Sequence, residues 1–227
     1  MSSAKNKEGK TALLVKQNLA ARLKDEILQG NLAPGQRIVE GYWARQFGSA
    51  QTSVREALNI LIGEGFVTKA SGRSARVTSY SESDIAQIYE LRAALEGYAA
   101  RLATQLQPDL KHLEAAMQEM SEAAQRGEVQ RVVEADLSFH LKLCELCGNR
   151  LLYAQMQTLL VPLFAFVSMR AFQNHQKAQA WESDLERHRR IIELIQEGDP
   201  LAAEFTVRST LQYFATRAYA IWQKKSN

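Results

Sequence analysis

Helix periodicity is the feature that most constrains the fold, and it runs from residue 81 almost to the end of the chain with no convincing alternating strand pattern. Proline and glycine divide this stretch, because Pro108 and Pro200 stand where helices would begin and Gly127, Gly148 and Gly198 where they would end. The predicted helices cover residues 83–105, 108–126, 128–147, 150–173, 181–197 and 200–222. Long helices joined by short connections favour an all-α antiparallel bundle.

The residues before this bundle predict shorter elements and a hairpin. Apolar residues recur every four positions at Val15, Leu19, Leu23 and Ile27, which predicts a helix over residues 12–29. Further helices are predicted over residues 39–47 and 50–64, and strands over residues 66–69 and 75–78. Three helices followed by a hairpin indicate a winged helix-turn-helix, and the complete chain is therefore expected to be mainly α.

The charge distribution divides the chain at the end of this hairpin. Residues 1–78 carry a net charge of +6, whereas residues 79–227 carry −3. A basic segment joined to a mildly acidic one indicates that only the first meets a polyanion. We therefore predict a loose polar arm over residues 1–11, a DNA-binding domain over residues 12–78, and a helical effector-binding and dimerisation domain over residues 79–227.

The predicted third helix has two distinct faces. Its buried stripe would consist of Val54, Ala57, Leu58, Leu61 and Ile62. Its polar residues cluster within about 100° of the helix circumference. Amide, hydroxyl and guanidinium groups near the start of a helix with an apolar back match a major-groove recognition helix, although an ordinary solvated helix would show the same stripe. The residues expected to contact double-stranded DNA are Arg45, Gln51, Thr52, Ser53, Arg55, Asn59, Gly72 and Arg73.

This segment resembles a known family. Gly-Asn-Leu-Ala-Pro-Gly-Gln-Arg-Ile-Val-Glu at residues 30–40, Thr-Ser-Val-Arg-Glu-Ala-Leu at residues 52–58 and Glu-Gly-Phe-Val at residues 64–67 are similar to the GntR-type DNA-binding domain. Members usually carry Ser or Thr and then Arg before this threonine, where this chain has Ala50 and Gln51. A glutamine favours adenine geometrically where an arginine favours guanine, but it can also contact the DNA backbone.

The second segment resembles the FadR-type, or FCD, branch of the same family. The similar motifs are Glu-Leu-Arg at residues 90–92 with Leu-Glu at 95–96, Asp-Leu-Ser-Phe-His at 136–140, and His-Arg-Arg-Ile-Ile at 188–192 with Gly-Asp at 198–199. They occur in the order expected of that ligand domain. The resemblance implies a regulator whose helical domain senses a small organic acid.

Three residues of this domain are candidate metal ligands. Asp136 and His140 are four residues apart and share one helix face, and His188 from a later helix could supply a third ligand. A carboxylate with imidazoles suits zinc, nickel or manganese. The resemblance implies a further histidine in the last helix, but Thr210 occupies that position. The alternative is a hydrogen-bonded core pair, with His188 exposed among arginines.

The effector site is expected to share these residues. Arg92 is the candidate for holding an effector carboxylate, because its planar guanidinium can bind one bidentately, whereas an ion pair with Glu96 is the alternative. Cys144 and Cys147 lie about 6 and 10 Å further along the helix and are expected to be buried small side chains. The predicted effector-binding residues are Arg92, Asp136, His140, His188 and Thr210.

Together these patterns predict a ligand-responsive repressor that binds a palindromic operator as a homodimer. The alternatives are a helical-bundle metalloenzyme and an architectural DNA-binding protein without an effector. The chain has no Glu-x-x-His motif, no His-Glu-x-x-His motif and no phosphate loop, which disfavours an enzyme. It also has no uninterrupted apolar run of about 18 residues and no signal peptide, so we expect a cytoplasmic protein that does not bind membranes.

Overall fold

The computed structural model describes residues 2–70, 74–173 and 181–223, with side chains described over residues 14–70, 74–167 and 181–216. The chain divides into two compact units, Met1–Ser79 and Tyr80–Asn227. The mainly helical architecture predicted from the sequence is confirmed, with a helix-turn-helix unit followed by an all-helical unit.

The first unit contains three helices and a short hairpin. Its elements are α1 (Ser2–Leu28), α2 (Glu40–Phe47), α3 (Gln51–Gly63), β1 (Val67–Thr68) and β2 (Arg76–Val77). The antiparallel strands pair Val67 with Val77 and Thr68 with Arg76. Within the described part of the hairpin the ladder comprises these two pairs, so both strands are shorter than the predicted ranges 66–69 and 75–78.

Helix α1 begins at Ser2, whereas the sequence predicts a loose arm over residues 1–11. The alanine, lysine and glutamate of this stretch have high helix propensity, so the backbone can remain helical ahead of the first buried residue. Burial itself starts later than predicted, since Val15 is exposed while Leu19 and Leu23 are buried. Among the side chains that the structure describes, the burial of α1 therefore begins at Leu19.

The core of the first unit forms where α1 packs against α3. The stripe of α3 is buried at Val54, Ala57, Leu58 and Leu61, as its spacing predicts. Gly48 ends α2 in the left-handed conformation, with a φ of 60°. This sharp reversal allows α3 to start three residues later and to present its opposite face to solvent.

The second unit is a bundle of six helices within the described residues. They are α4 (Glu82–Leu106), α5 (Lys111–Arg126), α6 (Val129–Leu146), α7 (Arg150–Gln173), α8 (Glu182–Glu197) and α9 (Pro200–Gln223). Helix α4 starts with a capping box, in which Ser81 Oγ accepts from the Asp84 N–H and the Asp84 carboxylate accepts from the Ser81 N–H. This cap satisfies backbone N–H groups at the start of the helix that holds the bundle together.

Helix α4 occupies the centre of the bundle. It packs most extensively on α9 and also contacts α6, α7 and α8. Gly97 permits the close approach of α9, because a Cβ atom there would lie 2.7 Å from Arg208 Cγ and 3.3 Å from the Glu204 carbonyl oxygen. The buried face of α4 therefore contacts side chains from several helices, and the candidate effector site lies among these contacts.

Among the residues that the structure describes, one helix is long and apolar enough to cross a membrane by length and composition alone, namely α7 over residues 150–167. Its buried residues Leu152, Met156, Leu160 and Leu163 recur every three or four positions and belong to the core of the bundle. This burial gives the apolar composition of α7 a structural reason, because a helix that packs against the bundle core needs an apolar stripe.

Candidate functional site

The polar face of α3 has the exposure expected of a recognition helix. Gln51, Thr52, Arg55 and Asn59 are exposed on the side opposite the buried stripe. Ser53 is half-buried. Arg45 on the neighbouring helix α2 is also exposed, whereas Gly72 and Arg73 lie outside the described residues. The exposed face of α3 thus remains the proposed DNA-reading surface.

Arg55 does not project alone from this face. Its Nη2 and Nε donate to the Glu40 carboxylate at 2.8 and 3.1 Å, which links α3 to the first turn of α2. The hydrogen bond and the charge of each partner lower the pKa of Glu40 and raise the pKa of Arg55. The pair uses two of the five N–H donors of the guanidinium and orients the others. Sequence reasoning gave Arg55 no partner, because Glu40 belongs to another helix.

The Gln51 side chain lies back towards α2. A Cβ atom placed on Gly41 would lie 2.9 Å from Gln51 Nε2, so the glycine leaves the space that the amide uses. The start of α3 therefore lies close to the first turn of α2. Gly41 was absent from the predicted site, and the only signal for it in the sequence is a glycine within a predicted helix.

The bundle brings together a second candidate site. Asp136 and His140 come from α6 and His188 from α8, and one ligand atom from each lies within 4.8 Å of the other two. His188 Nε2 is 3.0 Å from Asp136 Oδ1, and His140 Nε2 is 3.2 Å from the same oxygen. Both histidines are buried, whereas the Asp136 side chain is 25% exposed. His188 is therefore a buried member of the cluster, and the alternative of an exposed histidine is wrong.

The opposite nitrogens of the two rings face different groups. His188 Nδ1 is 2.7 Å from the Asp184 carbonyl oxygen, which can only accept, so Nδ1 carries the proton. His140 Nδ1 contacts Glu96 Oε2. Glu96 comes from α4, and sequence reasoning included it only as an ion-pair partner. Its contact with His140 could not be foreseen, because the two residues lie on different helices.

The cluster fits a divalent cation. The two nitrogens of His140 are buried and have no aligned hydrogen-bond partner among the described residues, although each lies close to a carboxylate. His140 Nε2 and His188 Nε2 both converge on Asp136 Oδ1, and two imidazole nitrogens with one carboxylate oxygen form a suitable donor set for zinc, nickel or manganese. Thr210 is buried on α9, one turn before Phe214, whose ring lies 5.8 Å from the His188 ring. A threonine hydroxyl there is a weaker ligand than an imidazole.

Arg92 lies beside this cluster in a fully buried position. Its Nε donates to Glu96 Oε1 at 2.7 Å, so the ion pair considered as an alternative is present. Its Nη2 is also buried and has no hydrogen-bond partner within the described part of the chain. The guanidinium carbon lies 4.8 Å from the Tyr89 ring centre and 5.1 Å from that of Phe164. Arg92 therefore combines a structural ion pair with an unused donor in an aromatic environment.

The charges of the cluster stabilise one another. Burial alone would lower the pKa of His140, but Glu96 and Asp136 outweigh burial and raise it to about 9. Burial alone would raise the pKa of Asp136, but the two histidines hold it far below its usual range. Arg92 and His140 likewise lower the pKa of Glu96 against the effect of burial. Without a metal, the cluster thus holds a protonated His140 between two carboxylates at neutral pH.

This arrangement predicts a pH-dependent stability of the metal-free protein. The pKa of His140 is raised from 6.5 to about 9, so its stabilising contribution is complete below about pH 6.5 and is lost as the pH rises through 9. We expect the melting temperature of chelator-treated protein to fall by several degrees across this window. A His140→Gln variant should lack that fall, whereas the exposed-site control His112→Gln should retain it. An equal fall in wild type and His140→Gln would contradict the prediction.

The two cysteines lie further along α6 and are buried. Burial raises the pKa of Cys144 and of Cys147, so neither thiol is poised to ionise. These side chains therefore fill space in the core and are poor additional ligands.

Comparison with known families finds a match to each of the two units. Residues 15–77 match the model of the bacterial regulatory proteins of the gntR family, and residues 87–213 match the FCD domain. The second match alone spans more than half of the chain. The chain belongs to the GntR family of bacterial transcriptional regulators, in its FCD branch. The metalloenzyme alternative is set aside, because the family and its relatives regulate transcription.

Relatives of this GntR regulator include proteins of opposite regulatory sign. A Paenarthrobacter nicotinovorans protein described as "Probable D-xylose utilization operon transcriptional repressor" is 28% identical over 84% of both chains. The "Glc operon transcriptional activator" of Escherichia coli K12 is 25% identical over 84% of this chain and 83% of its own. Similarity across this family therefore does not decide between repression and activation.

Solved structures show the same fold. That of Escherichia coli McbR/YncC has a TM-score of 0.73 at 18% identity and covers 92% of this chain and 99% of its own. A GntR regulator from Rhodococcus sp. RHA1 has a TM-score of 0.66 at 21% identity over 93% and 99% of the two chains. At these identities the similarity concerns the fold alone.

Proposed function

We propose that this GntR regulator is a repressor that binds a pseudo-palindromic operator as a homodimer and responds to a small organic acid through its buried cluster. The observation that carries the proposal is the convergence of Asp136, His140 and His188 beside the unused Nη2 of Arg92. A buried cationic donor next to a metal-type ligand set is suited to a carboxylate. Asp136 supplies the partly exposed edge of this site.

The DNA-binding half rests on the polar face of α3. One recognition helix reads too few base pairs for specificity, so a two-fold dimer reading two half-sites is expected. Large apolar side chains on α4 and α9 support a dimer of this kind, since Leu91, Tyr98, Leu201 and Phe205 are all exposed. Operator DNA lies in the bacterial cytoplasm, and we place the protein there.

The proposed metal would be held by Asp136, His140 and His188. It would supply a positive centre that binds an oxygen of the effector carboxylate. Asp136 offers one anionic ligand, and the Nδ1–H of His188 is bound by the Asp184 carbonyl, which leaves Nε2 as the ligating atom. Thr210 in place of a fourth strong ligand leaves room for water or an effector oxygen. A three-ligand site of this kind would lose its zinc, nickel or manganese easily to a chelator.

Arg92 would bind the effector carboxylate. Its guanidinium is buried beside the rings of Tyr89 and Phe164, where water competes weakly for the unused Nη2 donor. We propose that effector binding in the bundle changes the freedom of the two DNA-binding units, without contact to α3. Such coupling is reciprocal, so operator DNA must change effector affinity by the same factor.

The function is tested with the full chain and the DNA upstream of its own gene. Fluorescence anisotropy should show tight binding to a two-fold site, and light scattering should show a dimer free and on DNA. Zinc together with a panel of carboxylic acids should then change operator affinity and melting temperature in parallel. A monomer in both states would refute the dimer. DNA binding that no acid alters, with or without zinc, would instead indicate an architectural protein.

A further inference from the structure

Glu96 is fully buried on α4, between two groups that the proposed function uses separately. Its Oε1 accepts from Arg92 Nε–H at 2.7 Å, and its Oε2 contacts His140 Nδ1. The two oxygens of one carboxylate therefore face the proposed effector-binding side chain and a proposed metal ligand. Among the described residues, the partners of this carboxylate in the core are these two side chains.

We infer that Glu96 is a positioning residue that holds Arg92 and His140 at the same time and thereby couples carboxylate binding to metal binding. The inference rests on the proposed function, because it concerns how two parts of the same site communicate. Glu96 itself is not a ligand here, since its oxygens are already directed at the guanidinium and at the far side of the imidazole.

The coupling to the metal operates through the tautomer of His140. A metal on His140 Nε2, which faces Asp136 Oδ1 at 3.2 Å, requires the ring proton on Nδ1, and Glu96 Oε2 is the carboxylate oxygen in contact with Nδ1 that can accept it. His188 reaches the same tautomer through a backbone carbonyl, that of Asp184. The acceptor for His188 Nδ1–H is a backbone carbonyl of its own helix, α8. The acceptor for His140 Nδ1–H is a single side chain on another helix, α4.

The coupling to the effector operates through the ion pair. Glu96 orients the Arg92 guanidinium so that Nη2 remains buried without a partner. A carboxylate that binds Nη2 pulls the guanidinium and with it the shared carboxylate of Glu96. Since Glu96 also sets His140, movement of Arg92 is transmitted to the metal ligand through one residue.

Glutamine at position 96 keeps the shape of the side chain but has one accepting end. Its oxygen is expected to pair with the charged Arg92, because charge-assisted hydrogen bonds are the stronger ones. Its NH2 group then faces His140 Nδ1 and favours the tautomer with the proton on Nε2. The lone pair needed for a metal is thereby lost, although no ligand has been replaced.

The experiment is a zinc titration by calorimetry on the full chain after chelator treatment. Glu96→Gln should bind zinc about 10- to 100-fold more weakly than wild type, the usual range for outer partners of a ligating histidine. The control Glu90→Gln makes the same change on an exposed position of α4 and should leave zinc affinity unchanged. Zinc affinity of Glu96→Gln equal to wild type would overturn the inference.

A double variant separates positioning from simple loss of structure. In Arg92→Gln/Glu96→Gln the amide oxygen no longer has a guanidinium to pair with and can accept from His140 Nδ1–H. Zinc affinity should therefore recover towards the wild-type value, and the rise in melting temperature on adding zinc should return with it. A double variant as weak as Glu96→Gln would show that competition for the oxygen is not the cause, and the inference would fail.

The wild-type protein provides a readout that does not depend on the folding of a Glu96 variant. With zinc bound, the ¹⁵N–¹H spectrum should contain a slowly exchanging Nδ1–H of His140, assigned by its loss in His140→Asn. A proton on Nε2 instead would overturn the inference while leaving the proposed function intact. Wild type that binds no zinc would refute the metal part of the proposed function and the inference together.

Discussion

Replacing Arg55 with alanine is expected to weaken operator binding at least roughly 30-fold. A specific arginine contact is worth about 1–3 kcal/mol, and a homodimer on a two-fold operator loses it twice, which gives about 2 kcal/mol or more. If Arg55 contacts phosphate, the slope of log affinity against log salt should also fall by roughly one per half-site. The pairing of Arg55 with Glu40 makes the residue well oriented for either contact.

Anisotropy titrations of operator and of unrelated DNA at several salt concentrations provide the measurement. Arg131→Ala is the matched control, because Arg131 is an exposed arginine on α6 in the other unit. Glu40→Gln should strengthen non-specific binding, since it removes a carboxylate from beside the guanidinium. Gln51→Ala should mainly change sequence preference. Wild-type affinity of Arg55→Ala across the salt series would exclude docking through this face of α3.

Replacing Thr210 with histidine is expected to raise zinc affinity by about tenfold or more, equivalent to about 1.4 kcal/mol. Thr210 is buried and lies one turn before Phe214, which stacks on His188, so an imidazole at this position can reach the cluster. A neutral imidazole binds zinc far more strongly than a hydroxyl. The added ligand would also occupy a position that the proposed effector needs, and the response to carboxylates should weaken.

Calorimetry on chelator-treated protein measures the zinc affinity directly. Thr216→His places the same side chain on an exposed position of α9 and should not change it. The companion variants Asp136→Ala and His140→Ala should abolish tight zinc binding. If Thr210→His has no effect, and these two variants retain both zinc content and the effector response, the cluster is not the sensor site.

The sequence alone determined the elements and their faces. Helix periodicity and the placement of glycine and proline predicted the bundle helices to within a few residues, because hydrogen bonding and side-chain spacing in a helix are local. The same spacing placed Asp136 and His140 on one face of α6, and it separated the buried stripe of α3 from the polar face that carries Gln51 and Arg55. The prediction differed from the structure at the hairpin, where two residue pairs form the ladder. It also differed at the start of α1, where helix propensity extends the helix beyond its buried stripe.

Only the tertiary structure decided what each face meets. It buried His188 beside Asp136, which lies 52 residues earlier in the chain, and it placed Glu96 between Arg92 and His140. It also paired Arg55 with Glu40 across two helices. A repeat of 3.6 residues specifies which side chains share one helix face, whereas the partner of that face depends on how distant helices pack. The central position of α4 against α6, α8 and α9 is a property of the whole bundle, and the arrangement of the candidate site follows from it.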